Sequence, residues 1–332
     1  MNPAKCQDTD YIQWLIASPR IASCTEAARA NRSLVSHDAY TRLLERLEPD
    51  SDALWHEVRG LVQMSAGFLI VDDTTLDKPY ARHIDLVTRH WSGKHRRVVQ
   101  GINLVTLLWS DGDIAIPVDW RVFDKARDSL TKNDHLRQML QTARQRGFSP
   151  ERVLFDSWYS SLENLKMLRE FGWGFFVGIK SNRHADPDGT GNRQVRALQW
   201  GGEHAMMGHL KGFGWVQLYR VGVADADEQA RFFASSGPAL DEAQLQGLRE
   251  VAAQIEGYHR GLKQECLVER CQARSRRKQK NHIGLAIRAF VRLELARFTR
   301  GLSRFELKAR LLRPAIGLYL QQPLYTLSPP TA

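Results

Sequence analysis

The spacing of apolar residues changes period several times along the chain, and each change marks an element. Residues 10–47 read as short helices. Within them, the stretch from Thr25 to Leu44 has the rhythm of a helix-turn-helix, with Thr25 and Ser36 as expected N-caps. Ala27, Ala28, Leu34, Ala39, Leu43 and Leu44 are its expected packing positions. An unbroken apolar run, Gly67-Phe68-Leu69-Ile70-Val71, then ends in Asp72-Asp73-Thr74-Thr75, and such runs are strands buried on both faces. Two more strands, 98–109 and 114–123, flank a turn at Ser110-Asp111-Gly112-Asp113. Helix 135–146, strand 152–155, helix 162–171 and strand 174–180 follow. A meander of strands followed by alternating helix and strand predicts an α/β fold, a mixed sheet flanked by helices.

Residues 181–237 break that pattern. A loop rich in Gly, Asp and Asn leads into strand-like pieces at 204–210, 215–223 and 230–234, read as a small antiparallel β-rich insertion. From Asp241 the chain is helical again, through Glu265, over 283–300 and over 304–320, before a frayed tail at Ser328-Pro329-Pro330-Thr331-Ala332. The expected divisions are 1–60, a helical DNA-binding region; 61–180, the first part of a catalytic core; 181–237, the insertion; and 238–332, the rest of the core with the C-terminal helices.

Charge adds a partner to this outline. The chain of 332 residues holds 47 Lys and Arg against 37 Asp and Glu, a net charge of +10, which suits a protein that holds a polyanion. Arg270, Arg274, Arg276, Arg277, Lys278 and Lys280 are crowded into one short stretch, a candidate phosphate track whose alternative is a solvated basic face. No stretch approaches the roughly 18 apolar residues of a membrane helix, and the N-terminus lacks an export signal. The four cysteines, Cys6, Cys24, Cys266 and Cys271, form no CxxC pair and suggest neither a zinc ribbon nor a disulfide framework. On the second helix of the expected reader, His37, Asp38, Tyr40, Thr41 and Arg42 form the polar face that would meet a DNA groove.

Three acids are the candidate chemistry. Asp73 is expected to end the first strand and Asp156 the fourth, in Val153-Leu154-Phe155-Asp156-Ser157-Trp158-Tyr159. Carboxylates held side by side at strand ends are costly in a dry site unless a cation neutralises them. Asp72 is the rival for the first position. Glu256 lies on the long helix after 241, where Leu248, Val251, Ile255, Leu262 and Cys266 make an apolar stripe and Arg249, Glu256, Arg260 and Lys263 a second, charged one. One carboxylate among three cations suits a metal-bound phosphodiester. The plain alternative is an ion-pair face worth a few tenths of a kcal/mol per pair. Gly257 and Gly261, each costing about 1 kcal/mol in a helix, would clear one side for close approach by another backbone such as DNA.

The segments Ile70-Val71-Asp72-Asp73-Thr74-Thr75, Val153–Trp158 and Ile255–Glu265 resemble the three acidic motifs of bacterial insertion-sequence transposases. The resemblance is to the cut-and-paste DDE group marked by a Tyr-Arg-Glu-Lys signature, the insertion-sequence-four superfamily, and Gln272–Ala286 is similar to that group's C-terminal helices. It implies an RNase H-like core and makes Asp73, Asp156 and Glu256 the metal ligands and Lys263 the signature lysine. The signature Tyr and Arg fall at Arg249 and Ala252, a departure from the pattern. Two Mg²⁺ or Mn²⁺ ions about 3.5–4 Å apart would then bridge one phosphate. Water frees a 3′-hydroxyl at the transposon end, and that hydroxyl attacks the opposite strand, giving a hairpin, and later the target. A base pushed from the stack at such a hairpin would meet Trp200 or Trp215. The implied partners are double-stranded DNA at inverted-repeat ends and targets, and a second copy of the chain. The implied location is the bacterial cytoplasm, on the nucleoid. Two rivals are a metal-dependent DNA nuclease of the same fold and a DNA-binding regulator that has lost catalysis.

Overall fold

Leu69, Ile70 and Val71 are fully buried because their strand lies in the middle of a sheet. A computed structural model describes residues 4–31, 34–92, 96–124, 127–200, 204–222 and 230–323. The expected tail at 328–332 lies outside them. The chain separates into two compact units, one of residues 50–82 and 86–259, the other of residues 1–49, 83–85 and 260–332.

The first unit is built on one large mixed sheet flanked by helices. Its strands are β1 (Phe68–Asp77), β2 (Thr88–Ser92), β3 (Arg97–Ser110), β4 (Ala115–Phe123), β5 (Arg152–Phe155), β6 (Gly174–Ile179), β7 (His184–Asp186), β8 (Arg193–Gln194), β9 (Ala205–Leu210), β10 (Gly214–Val221) and β11 (Arg231–Ser235). Their order is β2-β3-β1-β5-β6-β11-β10-β9-β7-β8, with β4 paired to β3. β1, β5 and β6 run parallel and β3 antiparallel to β1. The strands of the expected β-rich insertion pair antiparallel and continue this sheet. β6 carries Phe175, Phe176 and Val177 buried on both faces, so an open edge there would leave a ladder of unpaired groups beside apolar surface. β11 closes it, antiparallel, from Phe232↔Ile179 to Ser235↔Phe176.

Among the helices, α4 (Asp52–Val58) packs on β4, α5 (Lys132–Gln145) on β3 and β4, and α6 (Leu162–Phe171) on β6. Thr131 caps α5 through a capping box with Asp134, which starts the helix three residues before the expected His135. Ser161 caps α6, and Gly172, in a left-handed conformation at φ 72°, ends it. The long helix α7 (Glu242–Gln264) begins in this unit, its first turns anchored where the Leu240 N–H donates to the Tyr219 hydroxyl at 2.8 Å.

The second unit is helical: α1 (Asp8–Ala17), α2 (Cys24–Ala30), α3 (His37–Arg46), α8 (Arg276–Arg300) and α9 (Arg304–Gln321). α2 and α3 pack together, and α1 and α3 pack on α8. The Asn281 amide donates to the carbonyls of Leu44 and Leu47, and the Tyr11 hydroxyl lies 3.0 Å from His282 Nδ1 in the buried core. These buried polar residues explain why α8 begins at Arg276 rather than the expected Ile283. Its first two turns bury Gln279, Asn281 and His282, so the apolar period starts late. Three details of the helix-turn-helix reading are corrected. Ser23, not Thr25, caps α2; Leu34 is 81% exposed; and Tyr40, expected on the polar face, is buried against Tyr11. Among the described residues no helix is long and apolar enough to cross a membrane.

Candidate active site

The register of β1 and β5 sets the site. Their parallel pairing runs from Phe68↔Arg152 to Val71↔Phe155, so the next residue on each strand is an acid, Asp72 and Asp156. β1 does not end there. Antiparallel pairing with β3 carries it on to Asp77↔Gly101, which leaves Asp72 and Asp73 mid-strand, facing opposite sides. β6 keeps Gly178 beside the turn after Asp156, because a Cβ there would sit 3.0 Å from the Ser157 amide nitrogen.

On one side Asp72 and Asp156 line a cavity of about 1080 Å³, together with Lys180, Arg196, Arg249 and Glu256. Asp72 accepts the Asp73 N–H at 2.7 Å, and Asp156 accepts the Trp158 N–H at 2.9 Å. Burial, with the charges of Asp73 and Asp156 added, pushes the Asp72 carboxyl from 3.8 up to about 8. Burial also raises Asp156; the Trp158 N–H partly offsets this and Asp73 adds to it. On the other side Asp73 is already satisfied. It accepts Asn103 Nδ2 at 2.6 Å, Lys132 Nζ at 2.7 Å and the Tyr159 hydroxyl at 2.7 Å. Burial works to raise Asp73, but the Lys132 ammonium and these bonds outweigh it and hold the carboxyl below its ordinary value.

Of the two rivals for the first acid, Asp72 lines the cavity, and Asp73, the expected one, is held by Asn103, Lys132 and Tyr159. Strand alternation gives Asp73 a direct ion pair with Lys132 and turns Asp72 to the cavity, where the charges of Asp73 and Asp156 act on it, opposed in part by Lys132. The sequence reading missed Asn103, Lys132 and Tyr159, which sit on β3, at the start of α5 and after β5. Only Tyr159, in the motif around Asp156, carried a signal.

The third acid, Glu256, reaches the cavity because α7 is fixed in rotation. Leu248, Val251 and Ile255 are buried on one stripe, as are Leu262 and Cys266 further along the chain. Gln254 is tied to the β3–β4 turn, accepting the Ser110 hydroxyl at 2.7 Å. Arg249 and Ala252, where the resemblance places Tyr and Arg, both line the cavity, and the Arg249 guanidinium also donates to Gln246 at 2.8 Å. Among the described residues no three acids, histidines or cysteines stand close enough for a ready-made metal shell. The donor set itself, three carboxylates on one cavity with one driven toward its neutral form, suits a hard divalent cation.

Other expected residues fall elsewhere. Arg260 is exposed, and Lys263 lies 3.6 Å from Glu269 in the helical unit. Gly261 clears space for a side chain rather than for DNA, since a Cβ there would meet the Phe290 ring at 2.7 Å; at Gly257 a Cβ would meet nothing within 4 Å. Arg277 pairs with Glu48 at 2.7 Å and donates to the Glu45 carbonyl, while Lys278 pairs with the Glu45 carboxylate at 3.3 Å. These two cations of the expected phosphate track thus fasten α8 to the end of α3. Arg274 is exposed, and Arg276 and Lys280 are half-buried. His37 and Arg42 are exposed on α3, with His37 3.1 Å from Asp38, and Thr41 donates its hydroxyl to the His37 carbonyl. Trp200 is buried, its indole N–H turned to the Val195 carbonyl, whereas Trp215 is 58% exposed.

Residues 7–197 match a family model described as DDE superfamily endonuclease. The chain belongs to that family. The matched stretch contains Asp72, Asp73 and Asp156 and stops before Glu256. Among solved structures, a synaptic complex of piggyBac transposase with hairpin DNA, seen by cryo-EM, has a TM-score of 0.54 at 13% identity. The alignment covers 99% of this chain and 76% of that one. That likeness shows a shared fold, a large mixed sheet flanked by helices of the RNase H-like kind. A Mos1 transposase paired-end complex with the left transposon end aligns over 53% of this chain and 59% of its own, at 13% identity and a TM-score of 0.20, too low to carry an argument. No curated protein matches the chain.

Proposed function

We propose that this DDE superfamily endonuclease is a cut-and-paste transposase whose Asp72, Asp156 and Glu256 hold two divalent ions, Mg²⁺ or Mn²⁺. The observation that carries the reading is the meeting of these three carboxylates on one cavity that also receives Lys180, Arg196 and Arg249. Bound divalent metal supplies Lewis acidity there, making water nucleophilic and steadying the leaving 3′-oxygen.

The protein's own groups do the rest. Arg249, Arg196 and Lys180 hold the phosphodiester by charge-assisted bonds, roughly twice the strength of neutral ones. Asp73, clamped by Lys132, Asn103 and Tyr159, fixes the path of β1 and hence the aim of Asp72. Lys263, at the position of the signature lysine, would exchange Glu269 for a phosphate when DNA is bound. Arg42, His37 and Thr41 on α3 would read transposon-end sequence, with Arg274, Arg276, Lys280 and Arg260 contacting the backbone irrespective of sequence. Trp215, exposed on β10, remains the choice over buried Trp200 for an unstacked base in a hairpin step. The resemblance to the insertion-sequence-four superfamily supports a bacterial, nucleoid-associated protein that pairs two ends as a dimer.

The test is a duplex carrying the inverted repeats that flank the coding sequence, incubated with protein, Mg²⁺ and a target plasmid. Release of the end with a free 3′-hydroxyl and its joining to the plasmid is the expected result. Cleavage with no joining would reduce the reading to a nuclease, and absence of both with Mg²⁺ and with Mn²⁺ would overturn it.

A further inference from the structure

Beside the carboxylate cavity lies a second, smaller one, of about 400 Å³, and its lining is of a different kind. Lys180, Arg183 and Lys211 reach it, as do Trp158 and the start of α6 at Ser161 and Leu162, and no acid does. Among the described residues none of the three cations forms an ion pair. Trp158 is 57% exposed, and two ammonium groups flank its ring, Lys180 at 5.6 Å and Lys132 at 5.8 Å from the centroid. The loop is held in place: the Trp158 N–H bonds Asp156, the Ser160 hydroxyl bonds the Ser157 carbonyl, and the Lys211 N–H bonds the His184 carbonyl.

We propose that this cavity binds one unpaired nucleotide of a DNA strand, its base stacked on Trp158 and its phosphate held by Lys180, Arg183 and Lys211. Unpaired cations in a concavity call for an anion, and an exposed aromatic ring set among them calls for a π face. A single-stranded nucleotide carries both. A duplex supplies phosphates but keeps its base faces stacked inward, so it would leave Trp158 unused. The volume agrees, since ligand cavities run from about 300 to 1,000 Å³ and a nucleotide needs the lower end of that range. The cavity would hold the strand end next to Asp156 while the neighbouring phosphate is cut, and in that respect the inference rests on the function proposed above. It is distinct from stacking on Trp215, which lies on β10 and lines neither cavity.

The experiment is metal-free binding by the full-length chain in EDTA. The probes are a 12-nucleotide single strand with a central 2-aminopurine and a blunt 24-base-pair duplex. Stacking on an aromatic ring is worth about 1–3 kcal/mol per base. Trp158→Ala should therefore weaken single-strand binding about tenfold or more and abolish the 2-aminopurine quench, with duplex binding held within about twofold. Trp158→Phe, which keeps a ring, should stay within about threefold of wild type. In Lys180→Ala/Lys211→Ala the salt slope of single-strand binding should fall by up to about 0.7, the value for the one phosphate these residues hold. The proposal is overturned if Trp158→Ala binds and quenches like wild type, if Phe is as poor as Ala, or if duplex binding falls equally. Because no cleavage is involved, a chain that cuts DNA but ignores these substitutions loses only this cavity. One that shows them but never cuts loses only the transposase reading.

Discussion

Lys132 Nζ lies 2.7 Å from the Asp73 carboxylate, and both side chains are less than one-fifth exposed. One carboxylate of the adjacent pair on β1 is thereby neutralised by the protein, and its neighbour Asp72 is left to face Asp156. Lys132→Met should strand the Asp73 charge. Breaking a fully buried pair costs about 3–5 kcal/mol, and partial exposure reduces that here to about 2 kcal/mol. Asp73 is held below its ordinary 3.8, so its contribution to stability is present above that value and is lost as pH falls through the folded pKa. Urea unfolding should show the variant weaker at pH 7 and the gap closing below about pH 4. Equal stability at pH 7 would mean the pair is idle.

Asp72 has the opposite sign. Its carboxyl is raised from 3.8 to about 8, so between those values the folded chain keeps a proton that the unfolded chain has released. Stability of the metal-free protein should fall as pH rises from about 4 to 8. Asp72→Asn should raise the melting temperature at pH 8 in EDTA by a few degrees, at about 2–4 °C per kcal/mol. Adding Mg²⁺ should stabilise the wild type and leave the variant unmoved. A variant stabilised by Mg²⁺ as strongly as wild type would remove Asp72 from the metal site.

Much of this site could be read from the chain, and what could not has a physical cause. The apolar run before Asp72, the motif around Asp156 and the buried stripe of α7 each follow from local pattern, and each forms as expected. Which of Asp72 and Asp73 faces the cavity depends on strand parity and on Lys132, 59 positions away, and no local period encodes that. The same limit hid the joining of β11 to β6, a pairing between strands some 55 residues apart. The start of α8 was missed because buried Gln279, Asn281 and His282 read as solvent-facing.

The basic stretch divides into two roles. Arg277, bonded to Glu48 and the Glu45 carbonyl, fastens α8 to the end of α3, and Arg277→Ala should cost about 1 kcal/mol of stability. Exposed Arg274→Ala should leave stability unchanged and reduce the salt slope of duplex binding by about 0.9. Melting curves and a salt titration of both variants check this. A larger loss of DNA affinity in Arg277→Ala than in Arg274→Ala would reverse the assignment.

End recognition should be tested by point substitution rather than truncation, because α1 and α3 pack on α8 and removing them would bare its core. His37→Ala and Arg42→Ala, both at exposed positions on α3, should lower the preference for inverted-repeat DNA over scrambled DNA about tenfold, at roughly 1–3 kcal/mol per base contact. Melting temperatures should not change. An unaltered ratio in gel-shift titrations would show that α3 does not read the ends.

The most direct test of the account is single-turnover cleavage in Mg²⁺ by four variants, with melting curves and DNA binding measured beside it. Asp72→Asn, Asp156→Asn and Glu256→Gln, each removing a metal ligand, should lose more than about a thousandfold, about 4 kcal/mol at 1.4 kcal/mol per decade. Asp73→Asn, altering a residue that supports a ligand, should lose about ten- to a hundredfold. An Asp72→Asn protein that cuts within about tenfold of wild type, while Asp73→Asn is inert, would contradict the account and put Asp73 in the metal site instead.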